Sequence, residues 1–303
     1  MNMDIKKNRA VDIISEVEQC KQDIYFYALE REKNLTGKSE VEIREYLITV
    51  LQVMKAAIAK GLDPMIETKG KIIDNNGMKL AEYATSHISV SGKTMRKAIS
   101  YALAMMEVNA SMGKIVASPT AGSCGVLPAV LLTIQERFNI EDEMVYRGLL
   151  VANLVGEIIA HHATLSGAQG GCQAEVGSAS AMASASVVYM LNGSQQQIFD
   201  AAAMCLKNLM GLVCDPIAGL VESPCAKRNT IGAANALICA EMALADIPSI
   251  VPFDEVVDAM FRVGKALPPS LKETSQGGLA TTATGKALND KIFGRCSIQK
   301  NEG

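Results

Sequence analysis

The chain has 303 residues and a net charge of −3, with 49% hydrophobic residues and only 4% aromatic ones. That is enough for one large or two medium domains with a sizeable core, and it leaves no electrostatic footprint for nucleic acid. No run of 18 or more uncharged apolar residues suggests a membrane span. The eight cysteines follow a polar N-terminus without a signal-peptide core, so they read as reduced thiols or metal ligands in a cytoplasmic protein.

Charge is unevenly placed. Residues 1–93 carry 14 Lys/Arg and 14 Asp/Glu, whereas between His162 and Lys207 only Glu175 and Asp200 are charged. The first part reads as a solvated helical region and the centre as a buried one. In chain order, residues 11–33 look helical. A second helix starts from Ser39 and Glu42, which form a capping box, and continues through Ile43, Leu47, Val50, Leu51, Met54 and Ile58 on one face. Gly61 and Pro64 end it. Residues 66–93 are less regular, with Asn75-Asn76-Gly77 as a turn signal. Gly92-Lys93-Thr94 is no phosphate loop, because His87 stands where such a loop needs glycine. Thr94 is expected to cap a helix over 94–113. Further helices are expected over 127–138, 143–162, 178–192, 196–212, 229–245 and 253–266. Alternating β-type runs are scarce, so the expected fold class is all-α. Its expected organisation is a charged helical region (1–93), an Ala/Gly-rich helical region carrying the chemistry (94–293) and a flexible tail (294–303), in one continuous domain.

Three cysteines sit at turn-forming positions. Cys172 follows Gly170 and Gly171, Cys214 precedes Asp215 and Pro216, and Cys225 follows Pro224. No CxxC pair is present, so a zinc ribbon or ferredoxin pattern is absent. Three thiols without a fourth suit a 4Fe-4S cluster with one iron open to substrate, or else three buried structural cysteines. Cys20, Cys205 and Cys239 fall on expected helices. The stretch Ser118-Pro119-Thr120-Ala121-Gly122-Ser123-Cys124-Gly125 precedes a helix whose positive end could hold a carboxylate, or is an ordinary connection. His161 and His162 end an apolar helix as proton carriers or packing residues. Lys227 and Arg228, directly after Cys225, are a solvated basic pair or neutralise an anion.

The segments Gly-Gly-Cys-Gln-Ala-Glu-Val-Gly-Ser-Ala, Cys-Asp-Pro-Ile-Ala-Gly-Leu-Val-Glu and Pro-Cys-Ala-Lys-Arg-Asn, together with residues 108–130, resemble the iron–sulfur-dependent L-serine dehydratases. The likeness is to the alpha chain of their two-subunit form and runs over nearly the whole chain. It implies conversion of L-serine to pyruvate and ammonia on a 4Fe-4S cluster, without pyridoxal phosphate. It assigns Cys172, Cys214 and Cys225 to the cluster, and Thr120, Gly122, Ser123, Ser166 and Gly167 to loops around the substrate. It also favours a charge-neutralising role for Lys227 and Arg228.

Gln169 stands where many relatives have Glu, and His161-His162 occupies a variable position. The catalytic base is left unassigned. The single-chain relatives carry an additional domain with a Ser-His-Thr motif and a glycine-proline pair. That domain has no counterpart here, so the resemblance implies a beta subunit as partner. A cysteine near the C-terminus caps the open iron in some relatives. Cys296 is a loose match, Cys124 an alternative, and a surface thiol with water on the iron the blander option. Another cluster-dependent lyase, acting on threonine, cysteine or a hydroxy acid, and a non-enzymatic iron–sulfur protein are the competing classes.

Overall fold

Thirteen α-helices and five one-turn 3-10 or π segments make up the regular structure of the described residues. Their single β contact is a bridge between Cys214 and Lys272. The fold is all-α. The computed structural model describes residue 4 and residues 6–294; the expectations for the tail, Cys296 included, lie outside the described residues.

The first expected helix is two, α1 (Ala10–Cys20) and α2 (Ile24–Thr36). Lys21 turns left-handed at φ 50°, and the Asp23 side chain accepts the Tyr25 N–H at 2.8 Å to start α2. Helix α3 (Glu40–Gly61) opens on the Ser39/Glu42 capping box. Helix α4 (Asn76–Ser86) occupies a stretch that reads as irregular. Its N-terminus is capped from a distance. The Glu107 carboxylate accepts the Asn76 N–H at 2.5 Å and the Gly77 N–H at 3.4 Å, a tertiary contact that no local pattern encodes. Glu107 lies on α5 (Gly92–Ala110), which begins two residues before the expected cap, so Thr94 stands inside its first turn.

The remaining elements are α6 (Val126–Phe138), α7 (Asp142–His162), the four-residue α8 (Gly167–Gly170), α9 (Ser178–Met190), α10 (Gln195–Asn208), α11 (Cys225–Leu244), α12 (Phe253–Ala266) and α13 (Ala283–Phe293). Neither α8 nor α13 follows from the periodicity. Helix α11 starts four residues earlier than expected, on Cys225 itself.

Helix α9 is the axis of the molecule. All 13 of its residues are buried, and α6, α7, α10 and α11 pack around it. A helix enclosed on all sides needs no polar face. Its Ser/Ala surface lets neighbours come close. On α7, a Cβ at Gly148 would stand 2.5 Å from Ser186 Oγ, and one at Gly156 3.0 Å from Met182 Sδ. Ser180 Oγ donates to Gly232 O of α11 at 2.9 Å and accepts from Asn235 Nδ2 at 3.0 Å. One apolar cluster runs from Ala10 on α1 to Met260 on α12, and a smaller one joins Ile73, Leu103, Met106, Cys124 and Ala226. Helix α7 is long and apolar enough to cross a membrane, but 67% of its most apolar window is buried within the protein, as suits a core helix.

Candidate functional site

Helix starts converge on one corner. Gly171, at φ 78°, redirects the chain out of α8. A side chain there would meet Leu267 and the Leu212 carbonyl at 2.7 and 2.9 Å. Cys172 follows and opens the π turn Gln173–Gly177, which runs into α9. Gln173 locks that turn. Its Nε2 donates to Gly170 O at 2.9 Å and Met260 O at 3.1 Å, and its Oε1 accepts the Gly211 N–H at 2.9 Å. Cys214 lies in an extended stretch. Its N–H donates to Leu271 O, and its carbonyl accepts the Glu273 N–H, both at 2.9 Å. Cys225 is the first residue of α11.

The three thiols lie within electrostatic reach of one another. Burial pushes Cys172 and Cys225 up to about 12, and Cys214 higher still, with neighbouring thiols adding to the rise. Arg228 opposes the rise at all three. Its Nη1 donates to Val213 O at 2.8 Å, and its Nη2 pairs with Asp215 Oδ1 at 2.7 Å. Leu279 N–H holds the other oxygen of Asp215 at 2.7 Å. The segment after α12 thus wraps the Cys214 loop.

The hydroxyl-rich loop arrives from a second direction. Thr120 precedes the 3-10 turn Ala121–Ser123, and its Oγ1 lies 3.1 Å from Ser123 Oγ. Asn229, one turn into α11, ties this loop to the thiols. Its Nδ2 donates to Gly122 O at 2.8 Å and Cys225 O at 2.9 Å, while its Oδ1 accepts the Gly125 N–H at 3.0 Å. Between the loops stands Glu175, on the π turn three residues after Cys172. Thr120 Oγ1 donates to its Oε1 at 2.8 Å. A Cβ at Gly122 would be 3.1 Å from Glu175 Oε1. One at Gly167 would be 2.5 Å from Oε2 and 3.3 Å from Cys214 Sγ. Ser166 starts α8, its carbonyl accepting the Gln169 and Gly170 N–H groups.

The structure therefore brings Thr120, Gly122, Ser123, Ser166, Gly167 and Arg228 together with the three thiols. Lys227 is placed elsewhere: it is exposed and lines a shallow cavity with Asn76, Lys79 and Tyr83. His161 and His162 pair with Asn8 through a side chain and a carbonyl at 3.2 and 2.9 Å. Gln169 is exposed and accepts from Thr164 Oγ1 at 2.8 Å. Cys124 is turned into the smaller core, its Sγ 3.7 Å from Met106 Sδ. Among the described residues no three Cys, His, Asp or Glu side chains meet at the spacing of a single metal ion.

The family model for the serine dehydratase alpha chain matches residues 19–280. The chain belongs to that family. It is 49% identical over 264 residues to the probable L-serine dehydratase alpha chain of Bacillus subtilis, covering 87% of this chain and 88% of that one. It is 46% identical over 281 residues to the L-serine dehydratase alpha chain of Peptoniphilus asaccharolyticus, covering 93% and 96%. To the L-serine dehydratase TdcG of Escherichia coli it is 34% identical over 252 residues, spanning 81% of this chain and 56% of that one.

At this candidate site, sequence reasoning passes over Glu175, Asp215 and Asn229. A signal for the first was present. Glu175 is one of only two charges in a 44-residue interval between His162 and Lys207, and a charge kept in a buried stretch needs a reason. Asp215 pairs with Arg228 and the Leu279 N–H, and Asn229 reaches Gly122 and Gly125 as well as the nearby Cys225 carbonyl, so the long-range half of each role is not disclosed by spacing.

Proposed function

We propose that this protein is the cluster-bearing alpha chain of an L-serine dehydratase, converting L-serine to pyruvate and ammonia with a beta chain. The observation that carries this reading is the meeting of Cys172, Cys214 and Cys225 around Arg228, beside the Thr120–Gly122–Ser123 turn and Glu175. The donor set suits a 4Fe-4S cluster. A cube of iron and sulfur is wider than an ion, so its thiolates need not meet at one point. The buried thiols hold protons in the metal-free chain, and binding a cluster would release them. Arg228 and the N-terminal end of α11 supply positive charge toward the anionic group. Bound there, the cluster would supply Lewis-acidic iron able to polarise the leaving hydroxyl.

The chain's own residues do the positioning. At the turn Ala121–Ser123 the Thr120 and Ser123 hydroxyls lie 3.1 Å apart, and small hydroxyl residues in such a turn suit a carboxylate. Asn229 holds that turn in register with Cys225. Elimination removes the α proton and the hydroxyl as water; the resulting enamine tautomerises to an imine, which hydrolyses to pyruvate and ammonia. A positioned base for the α proton contributes roughly 10²–10⁴ in rate.

The name "alpha chain" borne by the Bacillus subtilis and Peptoniphilus asaccharolyticus relatives supports a beta chain as partner. The shared apolar cluster supports one continuous domain, and the reduced thiols support a cytoplasmic setting. The test is anaerobic purification of the chain alone and with its partner, followed by iron analysis and a pyruvate assay on L-serine. Pyruvate is expected only from the pair. Turnover by the cluster-loaded chain alone would overturn the need for a partner, and an iron-replete pair that makes no pyruvate would overturn the substrate.

A further inference from the structure

Glu175 neither seats the thiols nor joins an ion pair. The π turn Gln173–Gly177 carries it, half-buried, into the space between the two substrate loops. One donor reaches it, the Thr120 hydroxyl at 2.8 Å. The nearby cation, Arg228, is committed to Asp215 at 2.7 Å and to Val213 O at 2.8 Å, and Lys227 lies on an outer face. Glu273, whose N–H is bonded to the Cys214 carbonyl, adds a second negative charge that reaches Glu175. Among the described residues no cation pairs with it.

A carboxylate held in this way is costly unless a positive group meets it. The walls around it are two glycines. A single methyl at Gly167 or Gly122 would fall 2.5 or 3.1 Å from its oxygens, so the carboxylate fits there only because both positions lack a side chain. The sulfur of Cys214 borders the same space, 3.3 Å from the Gly167 Cβ position.

We infer that Glu175 is the anchor for the α-ammonium group of the substrate, and so the residue by which the site selects an amino acid over the corresponding hydroxy acid. The inference rests on the serine dehydratase reading and deepens it. L-serine brings one anionic and one cationic end. The hydroxyl-bearing turn at Thr120–Ser123 is the setting for the first, and Glu175 is the complementary charge for the second. Leaving an ammonium without such a partner in a part-buried site forfeits a charge-assisted hydrogen bond and its desolvation.

The experiment uses the cluster-loaded alpha–beta pair and measures, by calorimetry, binding of L-serine and of L-glycerate, in which a hydroxyl replaces the ammonium. Glu175→Gln keeps the shape and loses the charge. It is expected to weaken L-serine binding about 10- to 100-fold while leaving L-glycerate within about twofold. Glu175→Asp, which restores the charge, should recover preference for L-serine over L-glycerate. Iron content and visible absorbance are expected to match the wild type. Equal weakening of both ligands, or unchanged L-serine affinity with a fallen kcat, would overturn the assignment in favour of a shaping or proton-carrying role. Loss of iron in Glu175→Gln would overturn it in favour of a cluster ligand. A wild-type pair that binds neither ligand would instead sink the serine dehydratase reading.

Discussion

The packing around α9 and the thiol corner at its N-terminal end are both buried, yet they are built on opposite rules. Around α9 small side chains let the helices approach closely, and polar groups such as Ser180 and Asn235 bond to one another and to carbonyls across helices, with Ser178 Oγ an unpartnered exception. At the corner the chain gives up regular helix for a π turn, a four-residue helix, a 3-10 turn and an extended stretch. Buried and half-buried polar groups there are only partly paired: three free thiols and a carboxylate with a single donor. A helical core obtains its stability by satisfying itself. A site meant for an incoming group leaves donors and charges to be satisfied by that group, at a cost that the core beside it must carry.

The sharpest way to break this comparison is to change one thiol in each region. Cys214→Ser is expected to lose most cluster iron after anaerobic reconstitution, whereas Cys205→Ser, in the core between α10 and α11, is expected to keep it. Full iron occupancy in the Cys214→Ser protein would remove the distinction.

A smaller effect concerns Glu107, a fully buried carboxylate that caps α4 and is satisfied on one oxygen only. Burial pushes its pKa up to about 7 from the ordinary 4.5, against the opposing pull of the Asn76 and Gly77 N–H groups. The folded chain therefore keeps a proton there that the unfolded chain releases between those values. The contribution of Glu107 is most favourable below about pH 4.5. It declines as pH rises to about 7, by on the order of 3 kcal/mol. Urea unfolding of the wild type and of Glu107→Gln across this window should show a difference that narrows toward low pH. A constant difference would show that Glu107 does not titrate in the fold.

The smallest effect tests the core rule itself. Gly148→Ala, which places a methyl 2.5 Å from Ser186 Oγ, is expected to cost about 1–3 kcal/mol. Adding Ser186→Ala should recover part of it, because the two positions share one contact. Strict additivity in urea melts would mean that α7 and α9 adjust freely at this crossing.

Local chemistry made much of the fold legible in the sequence. The Ser39/Glu42 box starts α3 where the pattern places it, and the periodic stretches become α5, α6, α7, α9, α10 and α12 within a few residues. These elements follow from interactions between residues three and four apart, which a sequence displays directly. The failures share the opposite property. Helix α4 depends on Glu107, 31 residues away. Cys225 heads α11 while its carbonyl and the Gly122 carbonyl are joined through Asn229. The motifs named the three thiols and both hydroxyl-rich loops, because their glycines, prolines and cysteines are visible one by one. What only the tertiary structure decided is which groups face each other: Arg228 inward and its neighbour Lys227 outward, Cys124 turned against Met106, and Glu175 set between two glycines. The reason is physical. Helix starts and turns are settled within a few residues of chain, whereas the neighbours of a charge such as Glu175 are settled by packing between separate segments, Thr120 lying 55 residues away.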